Sequence, residues 1–193
     1  MLRKGEDLLP LRTRLELRDW LAANSTTESS CWILISEKPK PDTILYLEAV
    51  EEALCFGWID GMRKKYSETE LAQRLTPRRK NGNWTELNKE RVRRLEKLGL
   101  MTDGGRKCLP DMSPGSFEIH PLVQRALEED PEVYDNFLAF PELYRRVRVD
   151  TIQKELIYNH PDVFEKRLRK LIENTKSNKM YGEWHDDGRL LDY

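Results

Sequence analysis

No run of apolar residues approaches the ~20 needed to cross a bilayer, so no membrane span is expected. The first residues, MLRKGEDLLPLRTRLELRDW, lack an apolar core of roughly 7–15 residues, so no signal peptide is expected. Cysteine is scarce: Cys31, Cys55 and Cys108 form an odd, widely spaced set without a CxxC. That usage argues against a disulfide scaffold and fits free thiols in a reducing cytoplasm. His120, His160 and His185 are far apart and show no HxxxH-type pairing, so no zinc or iron centre is expected. No GxxxxGKS/T, GxGxxG or GxSxG occurs, and no cysteine has a nearby histidine to activate it. No cofactor is implied.

What is present is polar but organised. Hydrophobic residues make up 38% and charged residues 35%, yet the apolar ones fall in periodic clusters that can build a core. The 193 residues suit one medium domain, or a domain with a helical extension. The net charge of -1 gives no general pull towards nucleic acid or membrane. The middle is different: Met62 to Lys107 holds 14 Lys/Arg against 6 Asp/Glu, so it can attract anions locally.

Periodicity divides the chain. Thr13 caps a helix to about Ala23, with Leu17, Trp20 and Leu21 on one side. CWILIS, from Cys31 to Ser36, reads as a strand, and KPKPD as a loop. Leu45 to Leu54 reads as a helix, with Leu47, Val50 and Leu54 on one stripe and Glu48, Glu51 and Glu52 on the other. Phe56 to Asp60 reads as a strand that Gly61 ends, and Glu70 to Thr76 as another that Pro77 closes. The expected class is α+β, with a small mixed or antiparallel sheet and helices over residues 1–108. From Asn83 to Gly99 the pattern is helical, and a short helix follows Thr102. LPDMSPGS is a linker by composition. Residues 117–175 read as all helical, with starts at Pro121, Pro131, Pro141 and Pro161. Residues 176–193 show no period and are expected to be an irregular, partly mobile tail.

Three clusters could carry chemistry. In FGWID, Asp60 is an acid, base or acceptor at a pocket rim, or a turn acceptor beside Gly61 with Trp58 in the core. In QRLTPRRK, strand alternation puts Arg74, Thr76 and Arg78 on one face, away from Gln73. Such a face suits a phosphate or carboxylate, because guanidinium groups bind these in bidentate fashion. Its plainer reading pairs Arg74 with Asp60 and leaves Arg78, Arg79 and Lys80 solvated. In NGNWTELNKER, Asn83 and Glu86 have the capping-box spacing, and the helix start can hold an anion. Asn88 and Arg91 follow on one helix face. Ordinary capping, with Trp84 as a packing staple, accounts for the same residues. The basic run RVRRLEKLG lacks interleaved aromatics and helix-turn-helix spacing, so it reads as a solvated helix face and nucleic acid as an improbable partner.

LYLEAVEEALCFGWIDG and AQRLTPRRKNGNWTELNKERVRRLEKLGLMTDGG resemble the bacterial YdeI/OmpD-associated family, also called bacteriocin-protection. The resemblance is strong over residues 13–107 and weaker from Phe117 to about Asn174. Matching positions are Gly57, Trp58, Ile59, Asp60, Gln73, Arg74, Thr76, Pro77, Arg78, Asn83, Trp84, Asn88 and Arg91. Leu75 stands where an aromatic is common. The resemblance implies an α+β front, a helical back and a stress- or envelope-related role. It supplies no catalytic residues.

Three functions are compatible with these residues. The first is a binding module for a small anionic or polar ligand, lined by Asp60, Gln73, Arg74, Thr76, Arg78, Asn83, Asn88 and Arg91 and walled by Trp58 and Trp84. It requires Asp60 and Arg74 on one side of the fold. The second is an enzyme with Asp60 as general base and Arg74 as anion stabiliser. The third is a protein–protein adaptor anchored by Tyr144, Tyr158 and Tyr181 on the C-terminal helices.

Overall fold

The computed structural model describes residues 8–80 and 82–193, so residues 1–7, part of the stretch read for a leader, lie outside the described residues. The chain divides into two compact units, Met1–Asn83 with Arg91–Pro110, and Trp84–Glu90 with Asp111–Tyr193.

The first unit is α+β, as its periodicities require. Helix α1 (Arg14–Asn24) starts at Thr13 with a full capping box: the Thr13 hydroxyl accepts the Glu16 N–H, and the Glu16 carboxylate accepts the Thr13 N–H. Strand β1 (Cys31–Ser36) is followed by a two-residue strand β2 (Ile44–Leu45), helix α2 (Tyr46–Cys55), and strands β3 (Trp58–Lys65) and β4 (Leu71–Pro77). The sheet order is β2-β1-β4-β3, with β1–β2 parallel and the other two pairings antiparallel. Helices α3 (Glu86–Lys97) and α4 (Asp103–Arg106) follow, and the division between the units falls inside α3.

Register assigns the sheet faces. Cys31, Ile33 and Ile35 of β1 stand opposite Leu75, Gln73 and Leu71 of β4, and Asp60 of β3 stands opposite Leu75. This face carries the core, in which Cys31, Ile33, Ile35 and Leu75 pack against Leu17, Leu21, Ala49 and Ala53 of α1 and α2. Trp32 stands opposite Arg74 on the other face.

Gly61 does not end β3. Asp60 pairs with Leu75 and Arg63 with Gln73, so Gly61 and Met62 together oppose Arg74 in a β-bulge, and the strand runs on to Lys65. The freed carbonyls meet a side-chain donor: the Gln73 carboxamide Nε2 donates to the Gly61 and Arg74 carbonyls at 3.0 and 3.1 Å.

Glu51 and Glu52 also depart from expectation. They are 2% and 1% exposed, not on a solvated stripe. Arg14 reaches both at 2.7 Å, Arg18 reaches Glu52 at 2.8 Å, and Arg94 of α3 reaches Glu51 at 2.9 Å. The run RVRRLEKLG is therefore no solvated face: Arg94 is an ion-pair partner, while Arg91, Val92 and Leu95 are buried. Burial works against the Arg14 charge, but the hydrogen bonds and charges of Glu52 and Glu51 outweigh it and raise its pKa.

The second unit is helical. Helices α5 (Pro121–Glu128), α6 (Pro131–Ala139), α7 (Glu142–Ile157) and α8 (Pro161–Lys176) enclose Val123, Leu127, Val133, Phe137, Val149, Ile152, Phe164 and Leu171. Pro121, Pro131 and Pro161 occupy first helical turns, whereas Pro141 is the residue before α7. The residues after α8 form no helix or strand, yet they are part of the packed unit. Trp184 is 7% exposed and joins Phe140, Tyr144 and Val147, with its ring 5.7 Å from that of Tyr144. Tyr144 is fully buried there, which removes it as a surface anchor for a partner; Tyr158 is exposed.

Glu52→Ala leaves Arg18 without its carboxylate and Arg14 with only Glu51, and should lower unfolding free energy by about 3 kcal/mol in urea titration. Trp184→Ala should cost about 3 kcal/mol by the same measurement, because it empties a packed aromatic site; an effect near zero would mean the tail is not part of the core.

Candidate functional site

The two sheet faces separate the residues expected to converge. Arg74 lies on the Trp32 face and Asp60 on the helix-covered face, so they do not meet: neither the expected ligand pocket lined by both nor the pairing of an Asp60 base with an Arg74 stabiliser has a geometric basis. Thr76 stands opposite Ile59, also away from Asp60. Trp58 is 1% exposed, its Nε1 donates to the Ser25 carbonyl, and its ring meets Trp20 edge-on at 5.9 Å. Trp58 is thus core, and Gln73 (1% exposed) serves the bulge. Trp84 and Asn88 belong to the second unit, so the site described is that of the first unit alone. The helix cap is Thr85, whose hydroxyl accepts the Asn88 N–H, in place of the expected Asn83.

What gathers around Asp60 is a different set. Tyr46, at the start of α2, donates its hydroxyl to the Asp60 carboxylate at 2.7 Å. Arg63 lies with its guanidinium 4.4 Å over the Tyr46 ring and donates to Glu37 at 2.9 Å and, at 3.4 Å, to Gln73. Without the bulge, strict alternation would send Asp60 and Arg63 to opposite faces; the extra residue brings them to the same one. Arg78, 6% exposed, donates to the Asn83 carbonyl at 2.9 Å. Its burial lowers its pKa, opposed by the negative charge at Asp60 and by Cys108. Arg91, 9% exposed, completes the set. Burial, then the charge and hydrogen bond of Asp60, push the Tyr46 phenol up to about 12, against the opposing charges of Arg91 and Arg63. The arrangement gathers a protonated phenol, the Asp60 carboxylate and three guanidinium groups, of which Arg63 is also paired with Glu37.

Of the residues expected from the sequence, Asp60, Arg78 and Arg91 come together. Tyr46 and Arg63 were missed. Tyr46 offered the signal of an aromatic hydroxyl at a helix start, whereas Arg63 was hidden by reading Gly61 as the strand end. Among the described residues, no three His, Cys, Asp or Glu side chains gather to hold a metal ion.

Residues 9–108 match the family described as Domain of unknown function (DUF8412). The chain belongs to that family. Residues 116–178 match the family described as Bacteriocin-protection, YdeI or OmpD-Associated. The YdeI/OmpD-associated relationship read from the sequence therefore holds, but its match lies in the helical part, and the front carries the DUF8412 domain with the Tyr46–Asp60 cluster. No curated protein and no solved structure matches the chain. Among the described residues, no helix is long and apolar enough to cross a membrane.

A phenol raised from 10 to about 12 contributes stability that is fully present below pH 10 and lost as pH rises through about 12. Spectrophotometric titration should show Tyr46 ionising only near the upper value. Tyr46→Phe should remove that late phenolate and flatten the corresponding loss of stability; an unchanged titration would dissolve the assigned hydrogen bond.

Proposed function

We propose that the DUF8412 domain binds a small anionic or polar ligand at the cluster of Tyr46, Asp60, Arg63, Arg78 and Arg91. The observation that carries this reading is that Arg63, Arg78 and Arg91 act on one fixed phenol–carboxylate pair, the Tyr46 hydroxyl on Asp60 at 2.7 Å. Guanidinium groups take phosphate or carboxylate oxygens in bidentate fashion, and a partly buried setting strengthens such contacts. Asp60 then serves to orient Tyr46 and to meet a ligand hydroxyl or N–H. Binding is favoured over catalysis because Asp60 already accepts the Tyr46 hydroxyl, which suits an orienting acceptor better than a general base. Three free cysteines, two of them buried, support a cytoplasmic setting, and the description of residues 116–178 supports a stress- or envelope-associated role.

A thermal-shift screen over inorganic phosphate, nucleotides, sugar phosphates and acidic peptides tests this, since a ligand of the folded state raises the melting temperature by mass action. Arg63→Ala should weaken the responding ligand roughly tenfold. Asp60→Asn should strengthen a simple anion severalfold by removing the competing charge. Failure of every anion at about 10 mM would sink the proposal.

A further inference from the structure

The second unit contains a cavity of about 290 Å³ lined by Arg148, Thr151, Ile152, Arg167, Lys170, Tyr181 and Gly182. Three of these side chains are cationic and none is acidic. The nearest carboxylate partner is Glu155, which accepts Arg167 at 2.7 Å and contacts His160 Nδ1 at 3.0 Å. Arg148 and Lys170 have no carboxylate partner among the described residues. Arg148 is 8% exposed, donates through Nη2 to the Tyr181 and Glu183 carbonyls at 2.6 and 3.3 Å, and has a buried Nε without an acceptor.

A buried guanidinium held by carbonyls and rings alone lacks a counter-charge, and such a charge carries a large desolvation penalty. The surroundings fix it in place. Its guanidinium lies 4.6 Å over the Tyr181 ring and 5.7 Å from that of Tyr144, and Lys170 covers the Tyr181 ring at 4.9 Å. Gly182 has φ +72, and a Cβ there would stand 2.5 Å from Arg148 Nη2. The chain thus bends closely around a buried cation that no acidic side chain among the described residues neutralises.

We propose that this cavity is a second anion site, independent of the Tyr46–Asp60 cluster, and that it takes the phosphoryl group of a small organophosphate. Arg148 forms its base, Arg167 and Lys170 its walls, and the Tyr181 ring flanks the bound group. The volume lies at the lower end of the ~300–1,000 Å³ range of small-molecule sites, which suits a phosphoryl group with a few carbons and not an extended polymer.

The full chain, labelled for amide NMR, is titrated with inorganic phosphate and with glucose 6-phosphate. Saturable shifts are expected at the amides of Tyr181, Gly182 and Thr151, whereas binding at the first-unit cluster would be read at Asp60 and Gly61. The two sites therefore stand or fall separately. Lys170→Glu changes an exposed side chain, so the fold is kept, and it should weaken binding roughly tenfold or more. Arg148→Lys keeps the charge, loses the fork, and should also weaken it. Absence of shifts at Tyr181 and Gly182 with both compounds at about 10 mM overturns the proposal, as does affinity unchanged by Lys170→Glu.

Discussion

The first unit depends on two buried glutamates. Glu51 and Glu52 sit on α2 beneath α1 and α3, and both are essentially inaccessible. A carboxylate in that position is tolerated only when it is paired and its lone pairs are satisfied. Arg14, Arg18 and Arg94 meet that condition from two other helices. The pairing fixes how α2 is rotated, and α2 carries Tyr46 at its first position. The direction in which the Tyr46 hydroxyl meets Asp60 is therefore set by ion pairs on α2 itself.

The bulge in β3 is the second constraint on the same site. It inserts Gly61 and Met62 opposite one residue and brings Arg63 to the face of Asp60. Gln73 makes the bulge affordable by donating to carbonyls that the ladder no longer satisfies. Its role is upstream of any ligand: it holds the backbone that aims Arg63.

Much of the fold was legible in the sequence. The Thr13 cap, the β-rich run at Cys31, and prolines at three helix starts each follow from local chemistry and appear as read. The site was less legible, for physical reasons. Alternation correctly separates Gln73 from Arg74 within a strand but cannot say which face of β3 opposes which, because that depends on register. A glycine before a bulge and a glycine at a strand end look the same in sequence. The glutamates of α2 were read as solvated because burial of a charged residue depends on partners 34 to 43 residues away, Arg18 and Arg94. The tail showed no period, yet Trp184 anchors it; one large aromatic packs without needing a repeat.

Arginine carries opposite meanings in the two units. In the first, Arg14, Arg18 and Arg94 face carboxylates of the same chain, and each charge is answered before any ligand arrives. In the second, Arg146 is answered likewise by Glu86 and Glu90, while Arg148, two residues on along α7, is met among the described residues by carbonyl oxygens and aromatic faces. Both side chains come from one helix and both are substantially buried. Burial alone therefore does not separate an arginine that holds a fold from one that holds a ligand. The separating quantity is whether the chain itself supplies the opposite charge. By that measure Arg146 is structural, and Arg148, which has no carboxylate partner among the described residues, is the one on which the proposed second anion site rests.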